Sequence, residues 1–269
     1  MANYIEIEQA LEMPGLRLVL IPGLPGPWGE AAKGIFHVKQ VPFVRVRHKT
    51  GDPDYLEVLK KWTGQTSYPV AAYNDERPRT TWMDILFLAE RIAPQPPLIP
   101  VDPEERALMF GYSHELCGEL GLSWCQRLML LDKTLSANPA SPGGLPIPNR
   151  EVATQLGSKY GYDSTNAAAA PARIAQIVRL FASRLAQQRA GGRRFLVGAQ
   201  LSALDIYWAT FISRIQPLQR DLCPMSAQLS ASFIEVLAEN PLIKAAMDPM
   251  LLAHRDFVYL KYLELPVDL

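Results

Sequence analysis

One stretch of the chain, from Gly64 to Arg91, combines a proline-led strand, a tight turn and a capped helix. Tyr68-Pro69 opens the apolar segment PVAAY, and the turn-forming residues 74–78 leave room for a second short strand. Thr81-Trp82-Met83-Asp84 then has the pattern of a capping box and begins an amphipathic helix. Because proline cannot donate to a strand ladder, a proline here indicates an edge strand, a cis bond or an ordinary trans turn.

The residues before this stretch alternate between strand and helix patterns. After a short extension, residues 1–15, the pattern predicts a strand at Leu16–Ile21 and a helix that opens near Pro27. A strand at Pro42–Arg47 and a helix at Asp54–Trp62 follow. The order β-α-β-α-β-β-α predicts a small α/β sandwich with a four-stranded mixed sheet.

A proline-rich segment, Ala93–Pro100, separates this region from a part of the chain that is helical throughout. We therefore predict a first domain at 1–93, a linker at 94–102 and an all-helical domain at 103–269. Within the helical domain, residues 137–150 are rich in proline, glycine and asparagine and predict a loop.

Composition narrows the classes of function. The 27 basic and 27 acidic residues give no net charge, which disfavours a bulk electrostatic nucleic-acid binder. The amino terminus lacks the pattern of a signal peptide, and no apolar run reaches membrane-spanning length, so we expect no membrane partner. Three cysteines at spacings unsuited to a metal indicate buried thiols in a reducing cytoplasm, and the four scattered histidines predict no metal site.

The segment Phe195–Ile206 reads FLVGAQLSALDI, and within it Ser202 to Asp205 is a second capping-box pattern. The whole segment resembles the FLVGDxLTxADI segment of the glutathione transferase family, in which a loop leads into the buried start of a core helix. The resemblance implies that Asp205 closes this helix start, which stabilises the fold by roughly 0.5–2 kcal/mol and does no chemistry.

The order of elements in Gly64–Arg91 resembles the glutathione-binding half of the same family's first domain. The resemblance covers nearly the whole chain from Leu16 onward. It implies an α/β thioredoxin-like domain followed by an all-α helical domain, with a cleft between them. It also implies glutathione as co-substrate, a hydrophobic electrophile, a homodimer, and a cis Tyr68-Pro69 bond whose tyrosine main chain faces the cleft.

The family's site residues map onto this sequence as follows. Glutathione-binding positions are Gly26, Pro27, Trp28, Gln65, Tyr68, Pro69, Thr81 and Trp82; the substrate pocket would use Tyr112, Ser113 and His114. The indole of Trp28 could pack or could donate its N–H to a sulfur or a substrate. Tyr112 fits the apolar stripe of its helix, and His114 fits a solvated or packed residue better than a general base.

Two departures from the family pattern concern the chemistry. Gly26 stands where relatives place a serine or cysteine that activates the glutathione sulfur, and Gly29 stands where some have a second cysteine. Thr81-Trp82 replaces the usual Glu-Ser. A helix start can still favour a thiolate through its dipole and free N–H groups, and a serine at position 26 is expected to raise activity.

These departures leave two hypotheses. The first is a transferase that joins glutathione to an electrophile by positioning and helix-end electrostatics. The second is a non-catalytic protein of the same fold that only binds glutathione or a partner protein. Disulfide oxidoreduction is disfavoured because Gly26-Pro27-Trp28-Gly29 contains no sulfur.

Overall fold

A mixed β-sheet organises the first part of the protein. The computed structural model describes residues 3–137, 147 and 149–269, and in these residues four strands form one sheet in the order β1-β3-β2-β4. The strands are β1 (Tyr4–Ile5), β2 (Leu16–Leu20), β3 (Val44–Arg47) and β4 (Val70–Tyr73). Strands β1, β2 and β3 are parallel, and β4 pairs antiparallel with β2.

Helices cover the sheet and then continue to the end of the chain. Those of the first part are α1 (Ile7–Glu12), α2 (Pro27–Val38), α3 (Pro53–Thr63) and α4 (Trp82–Ile92). The second part contains α5 (Pro103–Cys117), α6 (Leu122–Ser136), α7 (Arg150–Lys159), α8 (Ser164–Ala190) and α9 (Ala203–Ile212). It ends with α10 (Ala227–Phe233), a π-helical turn (Ile234–Ala238), α11 (Pro241–Ala246) and α12 (Pro249–Tyr262).

Two details of the predicted sheet are wrong. The amino-terminal extension belongs to the sheet, since Tyr4 and Ile5 pair in parallel with β3. A strand of two residues is too short to produce a period in the sequence. The strand predicted after the turn is reduced to one bridge between Ala71 and Arg79, which exchange both main-chain hydrogen bonds; toward the turn, the carbonyl of Tyr73 accepts the N–H of Glu76 at 3.1 Å.

The helical part differs from the sequence expectation at its breaks. Apolar residues recur at helical spacing from Leu108 to Leu135, but the segment is divided into α5 and α6, and Leu120, with φ of 55°, lies in the left-handed region between them. The segment from Pro241 to Tyr262 forms two helices, α11 and α12, because Asp248 caps a new start by accepting the N–H of Met250. The predicted loop at 137–150 lies mostly outside the described residues.

The segment that joins the two parts is held from both sides. The Nζ atom of Lys39, at the end of α2, donates to the carbonyls of Ala93 and Pro96 at 2.7 and 2.9 Å and pairs with Glu90 at 2.7 Å. The N–H of Ala203 at the start of α9 donates to the carbonyl of Leu98 at 2.8 Å. We propose residues 94–102 as the linker between the two domains.

Helix α9 lies at the centre of the molecule, and all ten of its residues are buried. It packs against α2 of the first part and against α5 and α12 of the second. The capping box predicted at its start is present. Asp205 accepts the N–H of Leu196 at 2.9 Å and that of Ser202 at 3.0 Å, and its Oδ1 lies 2.9 Å from Nε2 of His254.

Among the helices that the structure describes, none is long and apolar enough to cross a membrane.

The start of α9 is capped in the core and the start of α4 is capped at the surface, so the two allow a matched test of how burial changes the contribution of a cap. We expect Asp205→Ala to lower the free energy of unfolding by about 3–5 kcal/mol, because two buried N–H groups and a buried imidazole lose their acceptor. Thr81→Ala removes the corresponding cap of α4, where the threonine is exposed and accepts the N–H of Asp84 at 3.0 Å. That change should cost about 1 kcal/mol. Urea denaturation measures both, and equal losses would contradict a special role for Asp205.

Candidate functional site

A cavity of about 230 Å³ lies where the amino-terminal end of α2 meets the helices of the second part. Gly26, Trp28, His48 and Tyr68 line it from the first part, and Arg127, Lys159 and Tyr160 line it from α6 and α7. Its apolar walls are formed by Ile21, Leu24, Leu56, Ile147, Val152 and Leu156. A small organic molecule with an apolar body and a few polar groups suits such a lining.

Gly26 is the N-cap of α2, and its backbone is extended, with φ of −70° and ψ of 125°. No side chain caps this helix, and Pro27 occupies its first turn. The N–H groups of Trp28 and Gly29 therefore lack a helical acceptor, as the first amides of a helix do. With the helix dipole, they make this end of α2 favourable for an anion.

The phenol of Tyr68 occupies the space in front of Gly26. A Cβ atom at position 26 would lie 3.3 Å from Cε2 of Tyr68 and 3.8 Å from its hydroxyl oxygen. The Tyr68-Pro69 bond is cis. A hydroxyl thus reaches the start of α2 from the loop that precedes β4, although residue 26 itself has no side chain.

The environment of Tyr68 keeps this hydroxyl protonated. Burial raises the pKa of the Tyr68 phenol above its ordinary value, and the guanidinium groups of Arg127 and Arg214 oppose that rise. The ring centroid lies 4.8 Å from that of His48. A neutral phenol between two arginines and a helix start can donate a hydrogen bond to an anion that enters the cavity.

His48 supports Tyr68 as a neutral group. Its Nδ1 lies 3.3 Å from the hydroxyl of Tyr55, and only 5% of the residue is exposed. Burial, with a smaller contribution from the charge of Lys159, lowers the pKa of His48 to about 4. At neutral pH the imidazole therefore carries no charge.

Two arginines approach Tyr68 from the helical part. Arg127 stacks over Tyr160 at 5.4 Å, and Arg214 stacks over Phe233 at 5.0 Å. Arg214 is 3% exposed, and burial together with the charge of Arg127 lowers its pKa to about 9. Both Nε atoms are buried without a hydrogen-bond partner.

Trp28 lines the cavity, but its polar atom is already used. Its indole N–H donates to the carbonyl of Cys117 at 3.1 Å, and its ring meets Phe211 edge-on at 5.3 Å. This N–H was a candidate donor to a sulfur or a substrate, but it holds α2 against α5 instead. The ring contact holds α2 against α9.

Several residues assigned by resemblance do not line this cavity. Gln65 bonds to Ser67 through both ends of its amide, with Nε2 to the carbonyl at 3.3 Å and Oε1 to the hydroxyl at 3.3 Å. Pro69 is buried at the start of β4. Thr81 caps α4, and Trp82 packs edge-on against Tyr207 at 5.5 Å.

The three residues expected on α5 lie away from the cavity. Tyr112 packs against Phe181 at 5.5 Å and borders a separate surface groove with Leu108 and Leu180. Ser113 is fully buried and donates to the sulfur of Met109 at 3.5 Å, whereas His114 is exposed. The structure therefore brings together Gly26, Pro27, Trp28 and Tyr68, and separates them from Tyr112, Ser113 and His114.

Sequence reasoning missed the cationic side of the cavity. Arg127, which lines the cavity, interrupts the largely buried run Leu122–Leu131; Arg214, which borders a separate small cleft, lies two residues after the end of the apolar helix α9. An arginine inside an otherwise apolar run signals a buried charge, which needs a partner or a function. Lys159 and Tyr160 gave no such signal, because they end an amphipathic helix with ordinary composition.

No group of three or more histidine, cysteine, aspartate or glutamate residues is placed to hold a metal ion within the part of the chain that the structure describes.

The buried imidazole predicts an acid-sensitive contribution to stability. Above about pH 6.5, His48 is neutral in both the folded and the unfolded protein; on acidification the unfolded protein takes up the proton first. Stability is therefore lost as pH falls toward the folded pKa of about 4. Between pH 7.5 and 5 this loss should be about 2 kcal/mol, and His48→Gln should remove it. Urea titrations at both pH values measure it, with the exposed His37→Gln as control; an unchanged pH dependence in His48→Gln would contradict the assignment.

Comparison with known proteins places the fold. No protein-family model matches the chain, and no curated protein sequence matches it. Among solved structures, the protein is similar to a glutathione S-transferase domain-containing protein of Marinobacter aquaeolei VT8, with 14% sequence identity and a TM-score of 0.64. The match covers 91% of this chain and 98% of the Marinobacter chain. A glutathione S-transferase of Xanthobacter autotrophicus Py2 matches at 15% identity, 94% and 98% coverage and a TM-score of 0.59.

A third structure, a glutathione S-transferase of Methylobacterium radiotolerans JCM 2831 in complex with glutathione sulfonate, matches at 19% identity, 86% and 93% coverage and a TM-score of 0.54. At such low identity, a shared order of strands and helices over most of both chains is evidence about architecture. The protein therefore has the fold of the glutathione S-transferases, a thioredoxin-like α/β domain followed by an all-helical domain.

Proposed function

We propose that this protein is a glutathione transferase-like enzyme that binds glutathione in the cavity at the start of α2. In the reaction, the thiolate of glutathione attacks a carbon of a hydrophobic electrophile and forms a carbon–sulfur bond. In a displacement the leaving group departs with its bonding electron pair; in an addition the displaced π electrons move along the electrophile, which then takes up a proton from water. The observation that carries this proposal is the Tyr68 phenol beside Gly26. The solved complex with glutathione sulfonate supports glutathione as the co-substrate of this fold.

The thiolate is stabilised by three features at one place. The amides of Trp28 and Gly29 and the dipole of α2 favour a negative sulfur. The Tyr68 hydroxyl donates to it from the front, so the donor missing at Gly26 is supplied by another residue. Since burial keeps the phenol protonated, the hydrogen bond is available at neutral pH.

The same geometry changes the expectation for Gly26→Ser. A Cβ atom at position 26 would crowd the Tyr68 ring at 3.3 Å. The serine therefore competes with the phenol for one position, and we expect it to lower activity by displacing Tyr68.

The other residues assigned by the family resemblance have supporting roles in the proposal. The start of α4, capped by Thr81, receives the γ-glutamyl carboxylate of glutathione, because its first N–H groups and dipole favour an anion. The main chain at Tyr68 and Pro69 holds the cysteinyl part, with Gln65 ordering that loop through Ser67 and Trp82 fixing the helix start. Tyr112, Ser113 and His114 take no part.

A second candidate function is a non-catalytic protein of the same fold that binds glutathione or a protein partner. It is favoured by Gly26 and Gly29, which leave the start of α2 without a hydroxyl or thiol of its own. The two candidates differ in whether bound glutathione is ionised near neutral pH.

Replacing Tyr68 by phenylalanine tests the enzyme proposal. A hydrogen bond to a charged group contributes about 1.5–3 kcal/mol, so Tyr68→Phe should raise the pKa of bound glutathione by about one to two units. Turnover of an aryl halide near neutral pH should fall by roughly tenfold or more. The thiolate absorbance of bound glutathione against pH gives the first quantity, and steady-state kinetics gives the second.

Tyr55→Phe is the matched control, since it removes a buried phenol that contacts His48 outside the cavity. An unchanged thiol pKa in Tyr68→Phe would remove Tyr68 from the mechanism. Binding of glutathione by the wild type without ionisation or turnover would favour the non-catalytic candidate.

We also propose a homodimer and a reducing, cytoplasmic setting. Phe87 and Phe110 stack at 5.6 Å on the outer face of α4 and α5, and Arg106 lies over both rings at 5.8 and 5.2 Å. Met83 and Leu108 are 40% and 41% exposed. Aromatic and arginine side chains of this kind are typical of protein interfaces.

The three cysteines, all free and buried, support the reducing setting.

A charge in this aromatic patch should break the dimer. We expect wild-type protein to sediment as a dimer and Phe87→Glu as a monomer, because the carboxylate would be desolvated in the interface. Leu260→Glu, on α12, is the control and changes a residue that is 71% exposed. A wild-type monomer at micromolar concentration would overturn the dimer proposal.

A further inference from the structure

The segment that follows α12, residues 263–269, lies against α2, and we call it the strap. Val267 in its middle is 4% exposed, and the N–H of this residue donates to the carbonyl of Leu222 at 2.7 Å. We propose that the strap is a positioning element of the glutathione site, which holds the start of α2 and thereby determines how strongly the bound thiolate is stabilised. This inference rests on the proposed function, since it concerns the same site.

The strap contacts the first two turns of α2. The Nζ atom of Lys33 donates to the carbonyl of Asp268 at 2.6 Å and pairs with Glu30 at 2.9 Å. One turn further along, a Cβ atom at Gly34 would lie 2.9 Å from Cδ2 of Leu263 and 3.1 Å from Cγ2 of Ile206. The strap and α9 therefore both approach α2 so closely at residue 34 that only a glycine fits between them without a shift.

The strap is fixed to the sheet at the same time. The carboxylate of Asp268 pairs with Arg45 of β3 at 2.9 Å, and that of Glu264 lies 3.6 Å from the same guanidinium group. Asp268 therefore joins α2, through its carbonyl, to β3, through its carboxylate. Because Arg45 is mostly buried, this ion pair is less screened by water than one at the surface.

The strap also supports the loop of residues 21–26, which leads into α2. Val267 belongs to an apolar cluster of the helical domain, and Leu24 of the loop packs against that cluster. Pro25 and Val267 border one cleft of about 10 Å³, which is barely the space of a single water molecule. Since Leu24 also lines the cavity at the start of α2, a change at Val267 reaches the site through closely packed side chains.

The start of α2 depends on such support because no side chain caps it. Gly26 has no side chain to pack, yet the proposed reaction needs the amides of Trp28 and Gly29 at hydrogen-bond distance from the sulfur. A misplacement of about 1 Å at a reacting group can lower a rate by a factor on the order of 100. The strap is thus placed to set the position on which the chemistry relies.

The first test follows α2 without glutathione. Val267→Ala removes two methyl groups from the strap, and Val178→Ala removes the same two from the buried face of α8. In Val267→Ala, hydrogen–deuterium exchange at residues 30–34 should become at least fivefold faster relative to α3, which belongs to a different apolar cluster. Val178→Ala should leave this ratio unchanged, whatever it does to global stability. An unchanged ratio in Val267→Ala would overturn the proposal.

The second test connects the strap to the site. In Val267→Ala the pKa of bound glutathione should rise by about half a unit or more, so that about threefold less thiolate is present below that pKa. The kcat near neutral pH should fall by the same factor with a smaller change in KM, because the contacts of glutathione at Tyr68 and α4 remain. Val178→Ala should change neither quantity. Faster exchange in α2 with an unchanged thiol pKa would assign the strap to the fold alone and overturn its role in the site.

A milder pair of variants decides the question if Val267→Ala does not fold. Asp268→Asn keeps the main-chain bond to Lys33 and removes the ion pair with Arg45, whereas Glu264→Gln removes the longer contact of a carboxylate that is 51% exposed. Asp268→Asn should speed exchange at residues 30–34 and raise the thiol pKa, and Glu264→Gln should do so less. Equal effects of the two changes would contradict the strap.

The exchange measurement also separates this inference from the proposed function. If the wild type binds no glutathione, the proposed function fails, and the link between the strap and a thiolate fails with it. The exchange ratio of Val267→Ala still decides whether the strap holds the start of α2.

Discussion

The buried carboxylate of Asp205 is the interaction on which the geometry of the rest depends. It accepts from two main-chain amides and lies 2.9 Å from His254, so it joins a loop, the start of α9 and the carboxy-terminal helix α12. Helix α9 is buried on every side and packs against α2. The orientation of α2, whose free amides face the cavity, is thus set by a capped helix of the other domain. In the function that we propose, this carboxylate takes no part in the chemistry but positions the helix end that binds the thiolate.

The candidate site is built at this junction from groups of both domains. Phe211, in the last turn of α9, holds Trp28, and Arg214 comes only three residues later. Arg127 reaches the same place from α6. Because Trp28, Phe211 and Arg127 belong to packed helices, their positions are fixed before a ligand arrives, which lowers the entropic cost of binding. The Tyr68 phenol lies beside the start of α2, and the charges of both arginines act on it.

Much of the architecture could be predicted from local patterns. The strand Leu16–Leu20, the proline at the start of α2 and the capping box of Asp205 are each decided by residues close in sequence. Strand β1 could not be predicted, because two residues carry no period and their pairing with β3 is decided about forty residues away.

The candidate site was predictable only where a local motif marks it. Gly26, Pro27 and Tyr68 lie beside helix and strand starts that sequence alone can locate. The direction of the Tyr68 side chain is a property of tertiary packing, as is the approach of Arg127 from α6 and of Arg214 from the turn after α9. The residues expected on α5 failed to reach the cavity because the turn of that helix directs Tyr112 to Phe181 and Ser113 to Met109.

The glycine at position 26 and the tyrosine at position 68 are best understood as one feature. A side chain at 26 and a phenol at 68 would need the same volume, since the Cβ atom would lie 3.3 Å from the ring. The Tyr68 hydroxyl reaches the start of α2 from the loop that precedes β4, where the charges of Arg127 and Arg214 also act on it. In the function that we propose, the absence of a side chain at residue 26 leaves room for this hydroxyl to face the sulfur of glutathione.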